Sequence, residues 1–189
     1  MQFSGESSER CEAPKRYNQL KNMINKLLII PFILISMCSL YAQENNVKYI
    51  PEQYEENTID TILDSKINLR VVIIRKTLMD KSVSFTYTLE NDQTETHFYR
   101  DYSSEITVFK SDSVLFNRTF YKNDFEQIGD EEFIKEAITH NTWIQEYDKK
   151  SKTIKISHVI GVPETDWHYH FTLFIYKNGD YQSELDEIE

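Results

Sequence analysis

Asp166-Trp167-His168-Tyr169-His170 is the segment whose residue types and spacing best suit chemistry. On an extended strand, residues i and i+2 project from one face, so His168 and His170 share a face and Asp166 joins them. Zinc takes imidazole nitrogens and carboxylate oxygens converging in a tetrahedron, and such a strand can supply two or three of its ligands. His158 and Glu164, on the preceding strand and loop, can approach if the two strands are antiparallel neighbours. The set would then be a metal site, structural or hydrolytic. The alternative is a solvated outer face. Trp167, Tyr169, Phe171, Leu173 and Ile175 point the other way and supply a core, leaving Asp166, His168, His170, Thr172 and Phe174 outward.

No other segment competes. His97 and His140 lack motif spacing and read as surface or cap histidines. Ser82, Ser84, Thr86 and Thr88 alternate with Val83, Phe85, Tyr87 and Leu89, which makes their hydroxyls a solvated strand face. The chain holds only four glycines and has neither a Gly-x-Ser-x-Gly elbow nor a phosphate-cradling loop. The sequence therefore assigns no catalytic residue and favours a role other than catalysis. It also implies no cofactor, unless zinc occupies the His-x-His strand.

The elements that position these residues follow an export signal. Met23-Ile24-Asn25-Lys26 is a short basic start, Leu27 to Leu40 is apolar, and Tyr41-Ala42 meets the polar stretch from Gln43. That is the order of a secretory signal peptide over 23–42. Residues 1–22 are polar, without apolar period, and read as an upstream extension that is not part of the native chain. Cleavage after Ala42 gives a soluble periplasmic or secreted protein. Ile35-Ser36-Met37-Cys38 offers a second route, in which Cys38 is lipidated and acyl chains anchor the protein to a membrane. Cys11 and Cys38 are the only cysteines, so the mature chain has no thiol ligand and no disulfide. The whole chain has 21 basic and 31 acidic residues; five and three of these precede residue 43, leaving 16 and 28 and a net charge of −12. A surface so acidic repels phosphate backbones and argues against a nucleic-acid partner.

Residues 43–65 are polar and acidic and read as a tether; 66–189 read as a single β-rich domain. Strand patterns cover 67–74, 82–89, 97–102, 105–110 and 114–120. Asp130 caps a helix whose apolar stripe is Phe133, Ile134, Ala137 and Ile138, ending near His140-Asn141. Hairpin strands follow over 142–147 and 153–160, then 167–175, with Asn178-Gly179 as a type I′ turn signal into a last strand near Tyr181. The expectation is a mainly β, α+β domain: an antiparallel curved sheet or partial barrel with one packed helix.

Val114-Leu115-Phe116-Asn117-Arg118-Thr119-Phe120, followed by Lys122-Asn123-Asp124-Phe125, forms a further pattern with the helix 130–138 and the closing hairpin. Over Ile106 to Asp186 this resembles a family of small Gram-negative envelope proteins, often described as lipoproteins and classed as a domain of unknown function. The resemblance implies an envelope location and a β-rich domain, and it brings no catalytic residues. Physically, Phe116, Arg118 and Phe120 share a strand face, Asn123 or Asp124 turns the chain and Phe125 pins the turn to the core, which is a folding role. The functional expectation is an exported envelope protein that acts as a non-catalytic binding or interaction module for an envelope protein, glycan or small ligand. The alternative is a metal-binding protein or metal-dependent hydrolase built on Asp166, His168 and His170.

Overall fold

The computed structural model describes residues 46–90 and 93–188. The spans expected to be an upstream extension, 1–22, and a signal peptide, 23–42, with Cys38 inside the latter, lie outside the described residues. The strands are β1 (Asn46–Ile50), β2 (Glu56–Asp64), β3 (Leu69–Thr88), β4 (Thr94–Lys110), β5 (Ser113–Phe120), β6 (Ile138–Asp148), β7 (Thr153–Gly161), β8 (His168–Ile175) and β9 (Tyr181–Ile188). A 3₁₀ turn over Lys122–Phe125 and a helix, α1 (Glu131–Glu136), lie between β5 and β6.

The strands form two open sheets, so the mainly β class with one packed helix stands and the partial barrel does not. The first sheet has the order β1-β4-β3-β2, with β5 also pairing β4; the second has the order β6-β7-β8-β9. Every pairing is antiparallel except β1 with β4. Residues 46–64, inside the span expected to be a tether, contain β1 and β2. Their polar faces are solvated, and backbone pairing to β4 and β3 fixes them as edge strands.

Two expected pairs of short strands are each one long strand. β3 runs for 20 residues and β4 for 17. The apolar alternation lapses around Met79-Asp80-Lys81 because the register itself lapses between Thr77 and Ser82, a β-bulge in an otherwise continuous ladder. The helix is shorter than its stripe. Asp130 caps it by accepting from the backbone N–H of Glu132 and Phe133, but Ala137 turns extended and Ile138 already belongs to β6.

The inner faces of the sheets meet in one core. Val71, Ile73, Ile106, Val108, Phe116 and Phe120 come from the first, and Ile154, Ile156, Ile160, Phe171, Leu173 and Ile175 from the second. Each such side chain stabilises by roughly 1.5–3 kcal/mol through removal from water. Phe133 of α1 stacks on Tyr169 with ring centroids 3.9 Å apart. Phe125 of the 3₁₀ turn lies against Phe171 at 4.6 Å and against His158 at 4.7 Å.

The closing hairpin differs from the type I′ expectation. Gly179 N–H donates to the Tyr176 carbonyl and Tyr176 N–H to the Asp180 carbonyl, and Gly179, with φ 88°, is the one left-handed residue of the turn. A type I turn followed by a left-handed glycine fits these bonds. A Cβ on Gly179 would lie 2.5 Å from the Leu115 carbonyl oxygen, a backbone atom that cannot step aside. Gly179→Ala is expected to destabilise the domain by about 2 kcal/mol or more in urea unfolding. A loss under about 0.5 kcal/mol would contradict this close approach.

Candidate functional site

His168 opens β8 opposite Gly161, and His170 stands opposite Val159. Both face outward, away from the inner set Tyr169, Phe171, Leu173 and Ile175. His168 Nδ1 hydrogen-bonds the Asp166 backbone carbonyl at 2.9 Å. The His168 ring meets His140 edge-on with centroids 4.9 Å apart. A Cβ on Gly161 would fall 2.3 Å from His168 Cδ2 and 2.8 Å from His140 Cδ2, so glycine is what lets the two rings lie over β7. Burial, then the neighbouring His168 and Arg75, hold His140 below the ordinary imidazole range. His140 is therefore not a free surface histidine. Nor is His97, whose Nδ1 is 3.2 Å from the Tyr99 hydroxyl.

The other two proposed approaches fail. His158 pairs with Phe171 on the inner face, where it is fully buried with Nδ1 2.8 Å from Thr142 Oγ1. Glu164 accepts from the Tyr99 hydroxyl at 2.9 Å. Among the described residues no three His, Cys, Asp or Glu side chains are grouped to hold a metal ion. The Asp166, His168 and His170 zinc set is thus not assembled. Asp166 presents its carbonyl rather than its carboxylate to His168, and His168 is committed to that carbonyl and to His140.

His170 lines a concavity of about 380 Å³ on the outer face of the second sheet. Its floor is made of small hydroxyl side chains: Ser157 and Thr172 are paired on β7 and β8 and are 7% and 3% exposed. Trp143 pairs with Ser157 from β6, and Phe174 pairs with Lys155, so larger side chains rise around that floor. Thr172 Oγ1 donates to the Asp186 carboxylate, with Gln145 Oε1 3.4 Å away. Lys155 Nζ pairs with Glu146 at 2.8 Å, and that hydrogen bond and charge hold the lysine above its ordinary range. Two aromatic side chains, an imidazole and a hydroxyl, amide and carboxylate set thus open onto one dish. Such a lining, a few placed polar groups among aromatic faces, suits a small polar ligand. One sign was legible in the sequence: Phe174 is an aromatic residue on the polar face of its strand.

The Phe116–Phe125 pattern is engaged inside the domain. Phe116, Phe120 and Phe125 are buried. The Arg118 guanidinium lies 5.2 Å from the Phe120 ring and 4.9 Å from the Tyr181 ring. It also donates to Asp124 Oδ1 at 3.0 Å, while Asp124 Oδ2 accepts the Tyr121 N–H at 2.8 Å. Asp124 thereby closes the entry to the 3₁₀ turn.

Sequence reasoning missed a polar seam between β4 and β6. Ser104 Oγ is 2.8 Å from Thr142 Oγ1, which continues to His158. Arg75 lies 3.4 Å over the Tyr102 ring and donates to the Thr139 carbonyl at 3.2 Å. Desolvation lowers the Arg75 pKa against the pull of Tyr102, Glu55 and Asp101. The available signal was His158 itself, a histidine in the apolar register Ile154, Ile156, Ile160.

Residues 35–182 match a protein family described as a domain of unknown function (DUF4738), and the chain belongs to that family. No curated protein matches the chain.

Proposed function

We propose that this chain, which belongs to the DUF4738 family of domains of unknown function, is an exported, non-catalytic binding module. Its ligand is a glycan unit held on the outer face of the second sheet. The observation that carries this reading is the dish itself, with the Ser157 and Thr172 hydroxyls at its floor and Trp143, His170 and Phe174 around it. A saccharide ring has an apolar C–H face and a rim of hydroxyls. Trp143 and Phe174 offer flat apolar surface to the first, and Gln145, Asp186 and the floor hydroxyls exchange hydrogen bonds with the second.

Export is supported by the basic and apolar order of residues 23–42, and an envelope location by the resemblance carried by residues 106–186. Release after Ala42 leaves a soluble protein, whereas acylation of Cys38 makes the membrane a partner through lipid alone. An intact mass of the protein recovered from its host separates the two, since a chain beginning at Gln43 and one beginning at acylated Cys38 differ in mass. The strongly acidic mature chain supports protein or glycan partners over nucleic acid.

Calorimetric titration of the full chain with chitotriose tests the binding reading. Binding with a Kd of about 1 mM or tighter is expected, and Trp143→Ala should weaken it by about tenfold or more. Equal affinity in the variant, or no heat from chitotriose or any hexose or N-acetylhexosamine oligosaccharide, would remove the sheet face as the site.

A further inference from the structure

A second concavity, of about 530 Å³, is built from other elements and shares no residue with the sheet face. One wall is the β3 bulge, where Arg100 fixes the unpaired backbone. Its Nη1 donates to the Met79 carbonyl and its Nε to the Pro51 carbonyl, the latter at 3.1 Å. The facing wall is the 3₁₀ turn, from which Lys122, Asn123 and Asp124 of the Phe116–Phe125 pattern contribute. Bulges of this kind re-aim side chains and recur beside functional sites.

The wall carries charge of both signs in a fixed arrangement. Asp101 is 3% exposed, and its Oδ1 accepts the backbone N–H groups of Tyr102 and Thr139, both at 2.8 Å. A carboxylate so desolvated needs compensation. Lys122 is near enough to feel it, with Nζ donating to the Ala137 carbonyl at 2.7 Å and the Lys135 carbonyl at 3.2 Å. Burial lowers the Lys122 pKa, opposed by Asp101 and Glu126. Asp124 is already engaged by Arg118 and the Tyr121 N–H. Asp80 and Lys81 remain at the rim as exposed groups, with Lys81 Nζ 5.0 Å from the Tyr121 ring centroid. Although three aspartates line the space, no metal-holding group exists among the described residues, so the carboxylates do not form a cation cage.

We propose that this depression binds a free α-amino acid, its ammonium group on Asp101 and Asp80 and its carboxylate on Lys81 and the Asn123 amide. A ligand bearing both charges answers a wall bearing both, whereas a simple cation meets the like charge of Lys81 and Lys122 and a simple anion the like charge of Asp80 and Asp101. The volume lies within the usual range for small-molecule sites, and Ser82 and Tyr121 supply hydroxyls toward the ligand's side chain.

The test is calorimetric titration of the full chain with each common free L-amino acid. At least one is expected to bind with a Kd below about 1 mM. Its decarboxylated amine and its deaminated acid should each bind at least about tenfold more weakly. Asp80→Asn and Lys81→Gln, at exposed positions away from the core, should each weaken binding by about tenfold while the ligand-free melting temperature and chitotriose binding stay unchanged. The proposal is overturned if no amino acid binds at about 10 mM. It is likewise overturned if the amine alone binds as tightly as the amino acid, or if both variants bind like the parent chain.

Discussion

Phe125→Ala is expected to destabilise the domain by about 3–5 kcal/mol, the usual range for deleting a buried aromatic side chain. Phe125 is 1% exposed and touches three rings: Phe120 at 6.2 Å, His158 at 4.7 Å and Phe171 at 4.6 Å. It anchors the 3₁₀ turn, which is otherwise held by its own short hydrogen bonds, the Asp124 contacts and the Lys122 bonds to the Ala137 and Lys135 carbonyls. The lost contacts therefore include the seat of the turn as well as the ring's transfer from water. Urea unfolding against Tyr54→Ala, a half-exposed position, measures the difference. A cost under about 1 kcal/mol would mean that the turn is not pinned to the core through this ring.

Stability is also expected to fall by about 3 kcal/mol between pH 6.5 and pH 4, through His158. Burial, reinforced by the Arg75 charge, pushes its pKa down to about 3. In the unfolded chain the imidazole takes up a proton near pH 6.5. The unfolded state thus binds more protons than the folded state throughout the window between these values, and stability rises with pH there. The contribution is complete above about pH 6.5 and is lost progressively as pH falls toward 3. His140, also displaced downward, acts in the same direction. Asp60, Glu131 and Asp148 have lowered pKa values and lose their contributions only lower, around and below the ordinary carboxylate range. Equilibrium unfolding across this pH range should show the slope in the parent chain and a flatter one in His158→Gln. An unchanged slope in the variant would assign the acid sensitivity to other groups.

These residues also show where sequence reading reaches its limit. The alternation Tyr169, Phe171, Leu173, Ile175 was legible because a half-buried strand writes its faces at period two. Asp130 was legible as a cap because a carboxylate before an apolar stripe has a local purpose. The length of β3 was not legible, since the bulge at 78–81 replaces apolar alternation with residues that serve the irregular backbone. β1 and β2 were hidden for another reason. Edge strands held mainly by backbone bonds need little apolar patterning; β1 is only five residues long, and β2 is mostly polar with three acidic residues.

The candidate site was legible only in part. His170 and Phe174 could be placed on one face from β8 alone. Their neighbours Trp143, Lys155, Ser157 and Asp186 reach that face through pairings of β6, β7 and β9 that local pattern does not specify. His168 and His140 illustrate the converse, because a sequence motif suggested a metal pair and tertiary contact supplied a different partner. Asp101 carried no pattern at all. Its burial follows from two backbone amides, one of them at Thr139 on another strand.

The most direct test of the account is a chitotriose titration followed by amide and indole NMR of the isotope-labelled full chain. The account predicts saturable shifts at the Trp143 indole and at the Ser157, His170, Thr172 and Phe174 amides, with Lys81 and Tyr121 unmoved. Saturable shifts confined to other surfaces, or an unperturbed spectrum at about 10 mM glycan, would contradict it.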